Sequence, residues 1–193
     1  MNAPLLFATL LSLSGITQAA EFNQVQLDKS TLSFGFKQMG VALDGKFRKF
    51  TAKVAFDPSK PTAATAQIEV DLASIDTGSS EGDEEVAGKQ WFNSKLFPTA
   101  KFVSSGVKVL GPDRYEASGK LSIKGKTVDA LAPFTFKQVG SNGTFDGSFV
   151  IKRLDFAIGE GAWADVSTVA NEVQVKFRII TTTSATASAT AKK

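Results

Sequence analysis

From residue 31 onward, apolar and polar side chains alternate with a period of two over most of the chain. That is the spacing of a β-strand with one face buried, and it limits the fold more than any other feature of the sequence. Leu32, Phe34 and Phe36 alternate with Ser33, Gly35 and Lys37, which predicts a strand over 31–38. Ala52, Val54 and Phe56 make a second, stopped by Asp57-Pro58, and Ile68, Val70 and Leu72 a third. Two further strands, Phe102 to Leu110 and Tyr115 to Ile123, flank the turn Gly111-Pro112-Asp113. Lys124-Gly125-Lys126 leads into Thr127 to Val139, Ser141-Asn142-Gly143 opens a strand with Phe145, Phe149 and Ile151, and Val173 to Ile179 forms the last. Eight such strands must bury their apolar faces as a sandwich or by closing into a barrel. Their length favours closure, because a ten-residue strand spans about 33 Å and, tilted by roughly 40°, stands about 25 Å tall. The expected fold is therefore all-β: an eight-stranded antiparallel barrel with one short helical segment.

The helix is expected after Ser79 or Ser80, either of which can cap it, with Asp83 placed for a capping box after Ser80. Glu81, Asp83, Glu84 and Glu85 load its first turns with charge of the sign that its dipole favours, which accounts for them better than a calcium loop does. Val86, Trp91 and Phe92 are expected to face inward.

The missing chemistry narrows function further. The chain has no Cys and no His, which excludes thiolate nucleophiles, imidazole bases, Ser-His-Asp triads and Cys/His metal sites. With no phosphate-cradling Gly loop and no convincing carboxylate pair, neither an enzyme nor a cofactor or metal is expected. Asp76 and Asp155 read as turn caps or ion-pair partners. The net charge of +3 is spread along strands and interleaved with acids, so a nucleic-acid partner is not expected. Phe is the dominant aromatic, at 16 residues against two Trp and one Tyr. A cavity lined by Phe offers no hydroxyl and selects by shape and apolarity. Period and composition leave a filled core and such a cavity equally open.

Residues 5–16 are apolar, and Thr17-Gln18-Ala19-Ala20 supplies the small residues of a signal cleavage site. The run is too short and too interrupted by Ser and Gly to read as a membrane span. The expected organisation is a signal peptide over 1–19, a barrel over 20–182 in the periplasm, and a disordered Thr/Ser/Ala-rich tail over 183–193.

An ordered set of motifs resembles the YceI-like family of periplasmic, lipocalin-like polyisoprenoid-binding proteins. It comprises Leu27-Asp28-Lys29-Ser30, Lys37-Gln38-Met39-Gly40-Val41, Gly45-Lys46-Phe47, Phe56-Asp57-Pro58 and Ile75-Asp76-Thr77-Gly78. Trp91-Phe92-Asn93, Phe97-Pro98-Thr99-Ala100-Lys101-Phe102, the Gly119 to Gly125 hairpin and Ile151 to Gly159 complete it. Where many relatives carry His, this chain has Lys29, Gln38 and Lys124.

The resemblance implies a carrier holding a long isoprenoid, a quinone or polyprenyl chain or a similar amphiphilic lipid, and no catalytic activity. Candidate ligand-binding residues are Phe34, Phe36 and Phe47 near the start, Ile68 and Val70, and Trp91 and Phe92. They continue with Phe102, Leu121, Phe134 and Phe136, then Phe149, Ile151, Trp163, Val175 and Phe177. The Trp91 and Trp163 segments either frame the mouth or plug an end. Transient contact with a membrane or a membrane protein would follow, and monomer and homodimer both stay open. A stress-induced structural or interaction protein with a filled barrel is the alternative. Mature protein from a periplasmic extract should begin at Ala20 or Glu21. Terminal sequencing checks this, and an intact Met1 on the functional protein would refute it.

Overall fold

The computed structural model describes residues 21–184. The expected leader and the tail beyond residue 184 lie outside them. The described chain is all-β apart from one α-helix and a few short helical turns. Its strands are β1 (Phe22–Val25), β2 (Thr31–Gln38), β3 (Val41–Phe47), β4 (Phe50–Ala55), β5 (Thr65–Asp71) and β6 (Ile75–Asp76). After α1 (Ser80–Ala87) come the long β7 (Thr99–Gly111), β8 (Arg114–Ile123), β9 (Lys126–Val139), β10 (Asn142–Lys152) and β11 (Glu172–Thr183).

The eleven strands form one sheet in the order β4-β5-β7-β8-β9-β10-β11-β2-β3-β6, with β1 paired to β11. The count corrects the expected eight. The strands missed are β1, which has four residues, β6, which has two, and β3. β3 escapes a period-two reading because its inward positions run Val41, Leu43, Gly45, Phe47, with a glycine where an apolar side chain is expected. Phe34, the register partner of Gly45, fills that place, and a Cβ on Gly45 would overlap its ring. The last strand runs through Thr183, past the expected strand end at Ile179 and the expected barrel end at 182.

The sheet curls into a half-barrel whose ladder does not close between β3 and β4. The seam is held by other means. Arg48 N–H donates to Ser74 O at 3.0 Å, and Asp71 N–H donates to Lys49 O at 3.1 Å. Asp76 accepts from Arg48, with Nη2 2.9 Å away. The Arg48 hydrogen bond, with the Gly78 N–H, holds its carboxyl below the usual carboxylate range. At the other end of β4, Phe22 and Phe56 exchange two backbone hydrogen bonds.

Ser79 caps α1, its hydroxyl accepting from Gly82 N–H at 3.1 Å. Asp83 reaches back past the cap to Thr77, accepting from both its N–H and its hydroxyl. One end of the curl is packed solid by Phe22, Phe56, Tyr115, Phe136, Phe145 and Ile179. The Phe56 and Phe145 rings meet edge to face at 5.2 Å, a favourable arrangement for aromatic quadrupoles.

β9 and β10 pair only as far as Phe134 and Gly147, beyond which Pro133 has no N–H to continue the ladder. Gly147 lies beneath the Phe177 ring of β11, its register partner, and close to Pro133 O. Gly147→Ala is expected to destabilise by about 1–3 kcal/mol through overpacking. Gly106→Ala, whose Cβ would meet open space, should change stability by less than about 0.5 kcal/mol. Chemical denaturation of the two variants checks the pair.

Candidate ligand cavity

The curled sheet encloses a cavity of about 980 Å³. Alternation places it: in β2 the residues Leu32, Phe34, Phe36 and Gln38 face in, and in β11 Val173, Val175, Phe177 and Ile179 do the same. All the candidate residues named from the sequence line it except Phe136. Phe136 points inward too, but packs into the solid end against Phe22, with ring centroids 5.1 Å apart. The sequence reading missed Leu43 of β3, Leu72 and Ile75 of the seam, and Ile158 and Val169 of the segment after β10. Ile158 and Val169 sit in stretches with no alternation to reveal them.

The degree of burial distinguishes a filled interior from a hollow one. Phe34, Phe36, Phe47, Ile68, Phe102, Phe149, Val175 and Phe177 all face inward, yet each is only half-buried. In a close-packed core such side chains would lose nearly all their accessible surface. They keep it here because they face a void.

Beyond β10 the cavity is bounded by residues 153–169, and Arg153 organises this cap. Its side chain is 1% exposed and has no carboxylate partner among the described residues. Its N–H groups donate instead to the carbonyls of Ala170, Ile158, Gly159, Trp163 and Val169, at 2.6–3.1 Å. Five donors meet five acceptors, which is how a buried cation avoids the desolvation penalty of unpaired N–H groups. Burial lowers the Arg153 pKa from its ordinary value.

Its guanidinium lies 5.5 Å over the Trp91 ring, and Trp163 packs 5.5 Å from Trp91 on centroids. Trp91 is buried, and its Nε1 has no acceptor among the described residues. The two tryptophans thus belong to the cap. Gly159 and Glu160 N–H both donate to Gln90 O at 2.8 Å, joining the cap to the Trp91 segment. Lys124 latches it to the β8–β9 turn, donating to Ala157 O at 2.6 Å and to Glu160 at 2.9 Å. The Lys124 ammonium holds the Glu160 carboxyl below its ordinary range.

The mouth lies elsewhere. Apart from Thr65, the exposed lining residues fall on two neighbouring segments: Leu43 and Asp44 in β3, and Gly78, Ser79, Glu81 and Glu85 at the start of α1. Residues 77–79 continue beside β3 after the Lys46–Asp76 pair but no longer bond to it, and the opening is there. Glu81 and Glu85 therefore stand in water at the rim. Among the described residues, no group of three or more carboxylates gathers to hold a metal ion.

Of Lys29, Gln38 and Lys124, only Gln38 touches the cavity. Lys29 bonds the Gln26 side chain at the surface, and Lys124 is the latch just described.

Residues 24–181 match the YceI-like domain family. The chain belongs to the YceI-like family. It is 31% identical to the UPF0312 protein of Azotobacter vinelandii over 66% of this chain and 70% of that one. Among solved structures it resembles Burkholderia cenocepacia BcnA, with 46% identity and a TM-score of 0.80 over 81% of this chain and 99% of that one. A domain from Saccharophagus degradans described as polyisoprenoid-binding shares the fold at 16% identity, with a TM-score of 0.60 over 86% of this chain and 99% of that one. The fold is thus shared with both solved structures.

Half-burial at the wall has a measurable consequence. Phe136→Ala, in the solid end of this YceI-like fold, should cost about 3–5 kcal/mol, as for a filled core. Phe149→Ala, at the wall of the void, should cost about half of that or less, since most of the contacts on its inner side are absent already. Denaturation curves for the two variants decide this; equal costs would mean that the interior is filled in solution.

Proposed function

We propose that this YceI-like protein is a periplasmic carrier that holds a long isoprenoid chain, a quinone or polyprenyl lipid, inside its curled sheet. The observation that carries the reading is the ring of half-buried inward Phe, Ile and Val side chains around a void at the upper end of ordinary ligand-pocket volumes, about 300–1,000 Å³. A long apolar chain gains about 0.8 kcal/mol for each CH₂ taken out of water, and this lining has little else to recognise. The description of the Saccharophagus degradans domain as polyisoprenoid-binding supports the same ligand class. A periplasmic location rests on the leader-like residues 1–19. The filled-barrel alternative requires the void to be closed.

Gentle purification, organic extraction and mass spectrometry of the extract test the reading directly: wild-type protein should yield an isoprenoid lipid. Phe149→Asp places a carboxylate in the apolar wall, where it must protonate or recruit water, and should lose that lipid. Ser148→Asp is the control, because Ser148 lies on the outer face opposite Lys176 and should leave lipid content unchanged. Wild-type protein that never carries or takes up lipid would remove the carrier reading.

A further inference from the structure

The apolar face of the β2–β3 hairpin does not stop where the cavity does. The register pairs run Phe34 with Gly45, Phe36 with Leu43 and Gln38 with Val41. Phe34, Phe36, Gln38 and Leu43 line the cavity. Val41 lies two residues from Leu43 and so shares its face, but it stands beyond the mouth and is 60% exposed. Met39 follows at the tip, 78% exposed. Its backbone is left-handed, with φ 50°, a conformation in which Asn, Asp or Gly is more usual, so the turn itself gives no reason for a large apolar residue. The neighbouring turn is tied to this tip: Met39 N–H donates to Thr168 O at 2.8 Å, and Ala170 N–H donates to Lys37 O at 2.9 Å. It adds Val166, 53% exposed. The result is an apolar ramp leading from solvent to the rim at Leu43.

We propose that this hairpin tip is the surface with which the protein docks on a lipid bilayer, so that cargo moves between bilayer and cavity along the ramp. The inference rests on the carrier reading, which supplies an apolar cargo. Such a cargo has no favourable path through water, and a continuous apolar surface supplies one. A second copy of the chain fits less well. A stable dimer buries about 800 Å² and roughly 20–30 residues on each side, whereas the ramp offers Met39, Val41, Leu43 and Val166. A bilayer demands no shape complementarity, and weak, reversible adsorption by a few apolar side chains suits repeated loading and release. Of the acids beside the tip, Asp44 is paired with Lys176 at 3.3 Å, Asp165 is exposed and accepts from Ser167 N–H at 2.8 Å, and Lys37 is exposed next to them. Glu81 and Glu85 stand across the mouth, which favours an uncharged bilayer over an anionic one.

The test measures transfer of a dansyl-labelled isoprenoid probe from the protein to phosphatidylcholine vesicles. The wild-type rate should rise in proportion to vesicle concentration, the signature of collision. The double variant Met39→Asp/Val41→Asp should transfer about fivefold more slowly or worse and lose the dependence on vesicle concentration, because charged tips do not adsorb. Its equilibrium affinity for the probe in vesicle-free buffer should stay within about twofold of wild type, since neither residue lines the cavity. Val139→Asp removes an equally exposed apolar residue at the β9–β10 turn and should change nothing. A wild-type rate independent of vesicle concentration, or an unchanged rate in the double variant, overturns the docking inference while leaving the carrier reading intact. So does a wild-type dimer that the double variant splits into monomers in light scattering, which would give the ramp to a second copy. Wild-type protein that fails to bind the probe at all removes the carrier reading and this inference with it.

Discussion

A wall facing an apolar void can be built only from backbone whose N–H and C=O groups are already paired, because nothing in the void can pair them. The antiparallel ladder running from β4 round to β3 meets that condition for most of the wall. Past β10 the ladder stops, and residues 153–169 cross the end of the cavity with little regular structure. Four of their carbonyls, those of Ile158, Gly159, Trp163 and Val169, are gathered with Ala170 O on the single guanidinium of Arg153. A single side chain thus takes over, at the cap, the pairing that the sheet provides elsewhere. Lys124 and Gln90 then fasten the cap to the β8–β9 turn and to the Trp91 segment.

The interior is neither uniformly solid nor uniformly empty. At one end aromatic rings from several strands meet, and Phe22 and Phe56 lose essentially all contact with water. Toward the cap the walls stand apart and the inward Phe side chains keep free surface. Two of these rings, Phe34 and Phe177, fold down over glycines of neighbouring strands, Gly45 and Gly147. A ring laid along the wall covers backbone without projecting across the space, which lets a Phe-rich lining coexist with a cavity. The resulting surface offers dispersion and desolvation over its whole length and few directional contacts, so it suits a long chain better than a compact polar molecule.

Apart from Thr65 of β5 and Lys101 of β7, the polar lining residues sit at the boundary. Gln38, Asp44, Thr77, Ser79, Glu81 and Glu85 surround the opening, while Arg153 is consumed by the cap. Lys124 is a buried latch, whereas Gln38 stands at the cavity edge. The opening and the exposed ramp of Val41 and Met39 adjoin because both arise where β3 lacks a full partner. β6 covers only Lys46 and Phe47, so the rest of that strand borders the mouth.

Alternation with a period of two determined, from the sequence alone, the long strands and which of their faces turns inward, and hence the part of the lining that those strands carry. It does so because a strand's side-chain direction is a local property. Phe149 faces in and Ser148 out for that reason. The absence of His and Cys also excluded whole classes of chemistry without any coordinates. What depends on distance along the chain was decided only by the tertiary structure. Gly45 looks like a break in a strand until Phe34 is seen to cover it, and Arg153 looks like a surface charge until five remote carbonyls converge on it. Phe136 has the inward phase of a lining residue, yet it lies at the level where the rings of Phe22, Phe56 and Phe145 close the interior. Whether inward side chains meet across the sheet or leave a void depends on how tightly the sheet curls, and that is set by all the strands together.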